Sequence, residues 1–180
     1  MRIITGAYKG RNLTLVPGRS TRPTTAFNRE VIFSVHQDYE GCRVLDLFAG
    51  TGSFGLEALS RGAEWVDFVE FAPAAMSTIL SNIAHLGCGK SCHLWRKKVD
   101  AFLKSCVETY DIIFMDPPYL KNLVNPTIKL ILEKNLLNPD GIIVVEHSPK
   151  ERLDEYLRPL LMKEKSSKSS AFSWLKLAAE

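Results

Sequence analysis

Residues 44–55, Val-Leu-Asp-Leu-Phe-Ala-Gly-Thr-Gly-Ser-Phe-Gly, constrain this chain more than any other stretch. An apolar run of strand formers meets a glycine-rich turn, and Leu56, Glu57, Ala58 and Leu59 continue at once in a helical pattern. A strand, a tight loop and a helix N-terminus in that order make the nucleotide-holding corner of a doubly wound α/β sheet. Gly50 and Gly52 can adopt backbone angles closed to other residues, so a ligand can approach the main chain closely. The unpaired amides that open the helix favour an anionic group. Gly50-x-Gly52-x-x-Gly55 alone also fits a dinucleotide site, and what separates the readings lies downstream.

The pattern around that corner repeats. Spacing predicts strands at 43–48, 65–70, 92–96, 110–115 and 141–146, with helices at 53–61, 73–86, 99–107, 121–135 and 149–157. Repeated βα units imply a mostly parallel sheet with helices on both faces. Residues 160–165 and 171–177 flank a serine-rich turn and predict a closing β-hairpin, unlike the standard dinucleotide fold. Ahead of the sheet, residues 2–5 and 12–16 read as a small hairpin around Tyr8-Lys9-Gly10-Arg11. A turn-rich loop follows, then a helix from Phe27 to about Gln37 with Thr25 as a possible cap. The expected division is a basic N-terminal extension, residues 1–40, and an α/β domain, residues 41–180.

Charge is placed unevenly. Residues 1–29 hold Arg2, Lys9, Arg11, Arg19, Arg22 and Arg29 and no acid, whereas the remainder carries a net −3. A basic arm on a mildly acidic body suits a phosphate-rich partner. The chain is long enough to bury a real core, and no apolar run approaches the roughly 20 residues that span a bilayer. The N-terminus lacks the apolar core of a signal peptide, so a cytoplasmic location is expected. Cys88 and Cys92, beside His93, lack a second ligand pair at matched spacing, which favours reduced thiols over a metal site.

Four acids fall where ligands bind in open α/β sheets, beyond the carboxyl ends of the strands. Asp46 precedes the glycine turn. Glu70 ends the second strand, 24 residues further on, where an acid would bind ribose hydroxyls. Asp100 follows the third strand and could reach an adenine amino group, or could be the N-cap of the next helix. Asp116 ends the fourth strand and opens Asp116-Pro117-Pro118-Tyr119. Two prolines fix the backbone and remove two N–H donors, leaving carbonyls that can accept. Asp116 accepts while ionised, and Tyr119 offers an aromatic face. The group that fits is a nucleobase amine: two N–H donors on a flat ring.

These residues carry a resemblance. Asp46-x-Phe48-x-Gly50-x-Gly52, with Asp116-Pro117-Pro118-Tyr119 about 65 residues later, resembles the S-adenosylmethionine-dependent amino-methyltransferases. Arg2-Ile3-Ile4-x-Gly6, Lys9-Gly10-Arg11, Arg22-Pro23-Thr24-Thr25 and Arg29-Glu30-x-x-Phe33 resemble more narrowly the bacterial 16S rRNA guanine-N2 methyltransferase family of RsmD type. So does the run from Phe48 to Ala63. The resemblance implies a Rossmann-like class I methyltransferase with a seven-stranded, mostly parallel sheet. It implies S-adenosylmethionine as cofactor and ribosomal RNA, in an assembling or assembled small subunit, as partner, with the chain acting as a monomer and needing no metal. Asp46, Phe48, Gly50, Gly52, Glu70, Asp100, Thr24 and Thr25 would then hold the cofactor. Asp116, Pro117 and Tyr119 would carry the transfer, and Arg2, Lys9, Arg11, Arg22 and Pro118 would meet RNA. The family usually has Asp-Arg after Arg-Pro-Thr-Thr, where Ala26 and Phe27 stand here.

Two other classes remain open on the residues alone. An NAD-linked oxidoreductase accounts for the glycines and Glu70 but leaves Asp116–Tyr119 and the final hairpin unexplained. A non-catalytic RNA-binding protein could keep the same fold.

Overall fold

The computed structural model describes residues 1–18, 26–36 and 38–177, with only the backbone of residues 26–28. Its centre is a sheet built from strands β1 (Arg43–Leu47), β2 (Trp65–Glu70), β3 (Cys92–Arg96), β4 (Tyr110–Met115), β5 (Leu137–His147), β6 (Leu161–Ser166) and β7 (Ala171–Lys176). The strand order is β3-β2-β1-β4-β5-β7-β6. The first five strands pair in parallel, and β7 lies antiparallel between β5 and β6. This is the seven-stranded, mostly parallel sheet expected of a Rossmann-like methyltransferase. The central strands β1 and β4 are buried on both faces, which is why they read as nearly unbroken apolar runs.

Helices α1 (Ala26–Val35), α2 (Ser53–Ser60), α3 (Pro73–Leu86), α4 (Val99–Ser105) and α5 (Val124–Glu133) cover the sheet. Ile32 and Phe33 of α1, Phe54 and Leu56 of α2 and Ile79 of α3 pack with Phe68, Phe114 and Val144 on one face. On the other, Phe102 and Leu103 of α4 and Ile128 and Ile131 of α5 meet Leu45, Ile113 and Ile143. Alternate strand residues thus serve opposite cores, as a two-sided pleat requires.

All eight residues of α2 are buried, polar ones included, because the N-terminal arm lies over its outer side. Glu57, wholly buried, accepts the Ile4 and Thr5 amides at 2.7 and 3.0 Å and the Arg61 Nε–H at 3.0 Å. Ser60 Oγ accepts the Tyr8 amide at 2.9 Å. Gly6 closes this contact: a Cβ there would stand 1.6 Å from the Ser60 carbonyl oxygen. Ile3 and Leu13 of the arm join the same core as α1 and α2.

Some boundaries depart from the sequence pattern. The N-terminal hairpin reduces to one bridge, Arg2 with Asn12, extended by bonds from the Ile3 amide to Arg11 and from the Leu13 amide to Met1. The helix expected at 121–135 begins only at Val124, because Leu120 and Asn122 hold left-handed φ values of 58° and 52° that a right-handed helix cannot include. No α-helix forms over 149–157. A 3-10 helix at Glu155–Leu160, with Pro159 inside, takes its place. Strand β5 begins four residues before the expected start, where Tyr110 pairs with Leu137 ahead of a register shift. The cap expected at Thr25 and the helix end at Gln37 lie outside the described residues.

Candidate active site

Four neighbouring strands bring an acid to their carboxyl ends: Glu70 on β2, Asp46 on β1, Asp116 just beyond β4 and Glu146 on β5. Asp46 stands level with Phe68 and Phe114, and Phe114 with Val144, so the pleat puts Glu70, Asp46, Asp116 and Glu146 on one face of the sheet. Strand order reverses between β1 and β4, the crevice where ligands bind in such sheets. The row of acids crosses that crevice.

At its β1 side the carboxylates hold the glycine turn. Asp46, 1% exposed, accepts the Gly55 amide at 3.0 Å. Glu70 accepts the Gly50 amide at 3.0 Å through one oxygen and the Phe71 and Ala72 amides at 2.7 and 2.8 Å through the other. Gly52, at φ 74°, is the N-cap of α2, and a Cβ on it would crowd Phe68 at 3.3 Å. Phe48 is held at φ 58°, an unfavourable conformation for a bulky residue and a form of strain that concentrates at functional sites. Burial, then the neighbouring Glu70, pushes the Asp46 carboxyl up to about 8 against the opposing Gly55 hydrogen bond.

At its β5 side the acids meet Tyr119. Its hydroxyl donates to Glu146 Oε1 at 3.0 Å, and Ser170 Oγ lies 3.0 Å away on the turn before β7. Asp116 keeps some exposure as a residue, yet its carboxyl is crowded by protein. Burial first, then Glu146 and Asp46, raises it well above the usual carboxylate range. Pro117 is buried, Pro118 exposed and Tyr119 part-exposed.

From Phe48 and Glu70 a cavity of about 540 Å³ runs between the sheet edge, α4 and α5. Val69, Phe71, Val99 and Leu103 give it an apolar lining, Asp100 an acid and Lys97 and Lys98 a basic rim. Phe71 is 55% exposed, with the Lys98 ammonium 5.7 Å from its ring centre. Asp100 is not the N-cap of α4, a place taken by Lys98; it lies in the first turn, with Lys104 3.6 Å away.

The family model described as Conserved hypothetical protein 95 matches residues 1–176. The chain belongs to that family, the RsmD family. Ribosomal RNA small subunit methyltransferase D of Haemophilus influenzae is 33% identical over 175 residues, which cover 93% of this chain and 89% of that protein. YlbH of Bacillus subtilis (strain 168) is 40% identical over 171 residues, 93% of each protein. Among solved structures, yhhF from Escherichia coli superposes with a TM-score of 0.86 at 31% identity, covering 99% of both chains.

For a member of this family, the structure gathers Asp46, Phe48, Gly50, Gly52, Glu70 and Asp100 along one crevice and its cavity, with Asp116, Pro117 and Tyr119 at the adjoining strand ends. Arg22, Thr24 and Thr25 lie outside the described residues. Arg2 and Lys9 are exposed on the arm. Arg11 has another occupation: its guanidinium donates to the His85 and Leu86 carbonyls at 2.5 and 3.4 Å and so caps the C-terminus of α3. Glu146 was absent from the sequence reading. Its signal was a lone acid at the end of Ile142-Ile143-Val144-Val145, where an apolar residue would serve a buried strand better.

Proposed function

We propose that this protein transfers a methyl group from S-adenosylmethionine to the exocyclic N2 amine of a guanine in small-subunit ribosomal RNA. The observation that carries the reading is the placement of Asp116-Pro117-Pro118-Tyr119 at the switch point, beside a glycine turn and an apolar cavity edged by Glu70. The names carried by relatives such as the Haemophilus influenzae protein give the substrate class.

The residues fit the cofactor. An apolar slot lined by Phe48, Phe71, Val99 and Leu103 suits adenine, with Asp100 able to accept from its amine. Glu70 already accepts three amides, but its carboxylate oxygens have further lone pairs for ribose hydroxyls. Bound S-adenosylmethionine supplies a methyl group on a positively charged sulfur that leaves as a neutral thioether.

The chain's own residues do the positioning. A guanine drawn out of its stack lies against Tyr119. Asp116 and the Pro117 carbonyl accept its two amine hydrogens, which turns the nitrogen lone pair toward the methyl carbon. As the nitrogen–carbon bond forms, the amine gains positive charge, and Asp116 beside it stabilises that charge. The excess proton then passes to Asp116 or to solvent. The exposed Arg2 and Lys9 contact phosphates and set register without reading sequence.

The test is transfer of labelled methyl to small ribosomal subunits, with naked ribosomal RNA and DNA in parallel. Label is expected in guanine of the subunit RNA. Asp116→Ala should abolish it while leaving cofactor binding within a few-fold, and full activity in that variant would remove Asp116 from the mechanism.

A further inference from the structure

One buried group at the transfer centre has no part in the chemistry above. Glu146 is 6% exposed, directly after the apolar run Ile142–Val145 of β5, where a carboxylate carries a desolvation cost that packing alone does not require. Met115 pairs with Val145, so Asp116 and Glu146 follow side by side across neighbouring strands about 4.8 Å apart. Among the described residues, the groups around Glu146 include Asp116 and Tyr119 from beyond β4 and the uncharged Ser170 and Phe172 from the β7 side, with Asp46 of β1 acting on the same Asp116 carboxyl. The next residue, His147, points away and binds the Ser148 carbonyl and Ser173 Oγ.

Tyr119 is anchored from two sides. Glu146 accepts its hydroxyl proton, and Ser170 stands at the same distance. Ser170 is itself fixed, since its carbonyl accepts the Ser167 amide at 2.8 Å and the Ser167 hydroxyl at 3.1 Å. The serine-rich turn that reads in the sequence as a simple hairpin loop therefore supports the tyrosine.

We infer that Glu146 is a positioning residue for methyl transfer: it fixes the ring of Tyr119 through the hydroxyl and stands as the second carboxyl group of a pair with Asp116. This rests on the reaction proposed above. Two carboxyl groups in one enclosed site do not ionise independently, so the pair holds a shared proton over a range of pH where an isolated acid has none. The charge of Glu146 is the second cause, after burial, of the upward displacement of Asp116. A cation or an amine donor beside the pair favours the fully ionised form, so binding of the reactants prepares the acceptor. Glu146 touches neither reactant in this arrangement and acts through its two neighbours.

The experiment uses the full chain with Glu146→Gln, Glu146→Ala, Tyr119→Phe and the Glu146→Ala/Tyr119→Phe double variant. Asp116 is titrated by carbon-13 NMR of labelled aspartate carboxyls in the free protein, and kcat and KM are measured on small ribosomal subunits across pH. Glu146→Gln, which keeps an acceptor for Tyr119 but loses the charge, should move the Asp116 midpoint and the acid limb of kcat to lower pH. Its turnover on the alkaline plateau should stay within a few-fold of wild type. Glu146→Ala should lower kcat about tenfold, the loss of one anchoring hydrogen bond, with KM for the cofactor unchanged. Adding Tyr119→Phe to Glu146→Ala should cost less than Tyr119→Phe alone. An unmoved Asp116 midpoint in Glu146→Gln, wild-type turnover in Glu146→Ala, or losses that simply multiply would each overturn the inference. Should Glu146→Ala not fold, the near-isosteric Glu146→Gln still decides it by both pH readouts. A wild-type protein that methylates no RNA would remove the proposed reaction, and with it the transfer role of Glu146. The NMR titration would still report whether the carboxyl pair exists.

Discussion

Replacing Asp46 by asparagine should make this protein less sensitive to rising pH. The carboxyl of Asp46 is pushed from 3.8 up to about 8 in the folded chain, chiefly by burial. An acid displaced upward holds its proton in the native state after the unfolded chain has released it. The unfolded state therefore binds fewer protons, and stability falls as pH rises from about 4 to about 8, then levels off. At neutral pH the contribution is about three pH units at roughly 1.4 kcal/mol each, or about 4 kcal/mol. Asparagine cannot ionise but can still accept the Gly55 amide. Its constant packing cost cancels when only the pH dependence of the difference is read. Urea unfolding of both proteins at intervals between pH 4 and pH 8.5 gives that difference directly. The variant should gain on the wild type by about 4 kcal/mol between pH 4 and pH 7, with the gain saturating above pH 8. A stability difference that stays flat across that range would refute the argument, and with it the picture of a water-free carboxyl beneath the turn.

Other expectations follow from the same geometry. Gly55→Ala would place a Cβ 2.4 Å from the Phe68 ring and 2.6 Å from Val66, and overpacking of this kind costs about 1–3 kcal/mol. Thermal unfolding and cofactor titration should both show the loss, because the Gly55 amide also holds Asp46; an unchanged melting temperature would contradict it. Glu57→Ala removes the acceptor for two arm amides and Arg61. A loss of about 3 kcal/mol is expected, with faster hydrogen exchange at Ile4 and Thr5 than at α2. Charge reversal at Arg2 and Lys9 should lower subunit affinity and reduce the slope of log affinity against log salt by about one per lost phosphate contact. Unaltered salt dependence would take these residues off the RNA surface.

The sheet was legible because local pattern and tertiary environment agree there. β2, β3, β4 and α3 lie where apolar periodicity put them; β2 and β4, buried along nearly their whole length, had to be mostly apolar. Asp46, Glu70 and Asp116 were legible for a related reason: each is an acid at the end of such a run, next to turn residues. Long-range partners were not. Arg11 reads as a phosphate ligand because its arm is basic, and nothing local reveals that its guanidinium also reaches a carbonyl at the end of a helix 74 residues away. Glu146 was hidden because Asp116 and Tyr119, which stand beside it, come from a segment 27 residues before it, and Ser170, which shares the Tyr119 hydroxyl, comes from a third place in the chain. Around 149–157 the apolar spacing allowed a helix, but Pro159, which has no amide to donate, falls inside the turn that forms, and only a 3-10 helix at Glu155–Leu160 results.

The place of β7 also dictates the order in which the sheet can be completed. Among the described strands β6 pairs with β7 alone, so neither can join the sheet until residues 171–176 have been synthesised and have slotted in beside β5. Until then Ile142–His147 is an open edge of unpaired amides and carbonyls in a strongly apolar strand. Such an edge is a template for pairing with another chain, so a nascent or truncated molecule lacking β7 is an aggregation hazard. The same missing strand removes Phe172, the pairing partner of Glu146, and leaves Ser170 with no strand to hold it beside Tyr119. The anchoring of Tyr119 and protection from misassembly thus arrive together, with the insertion of one six-residue strand.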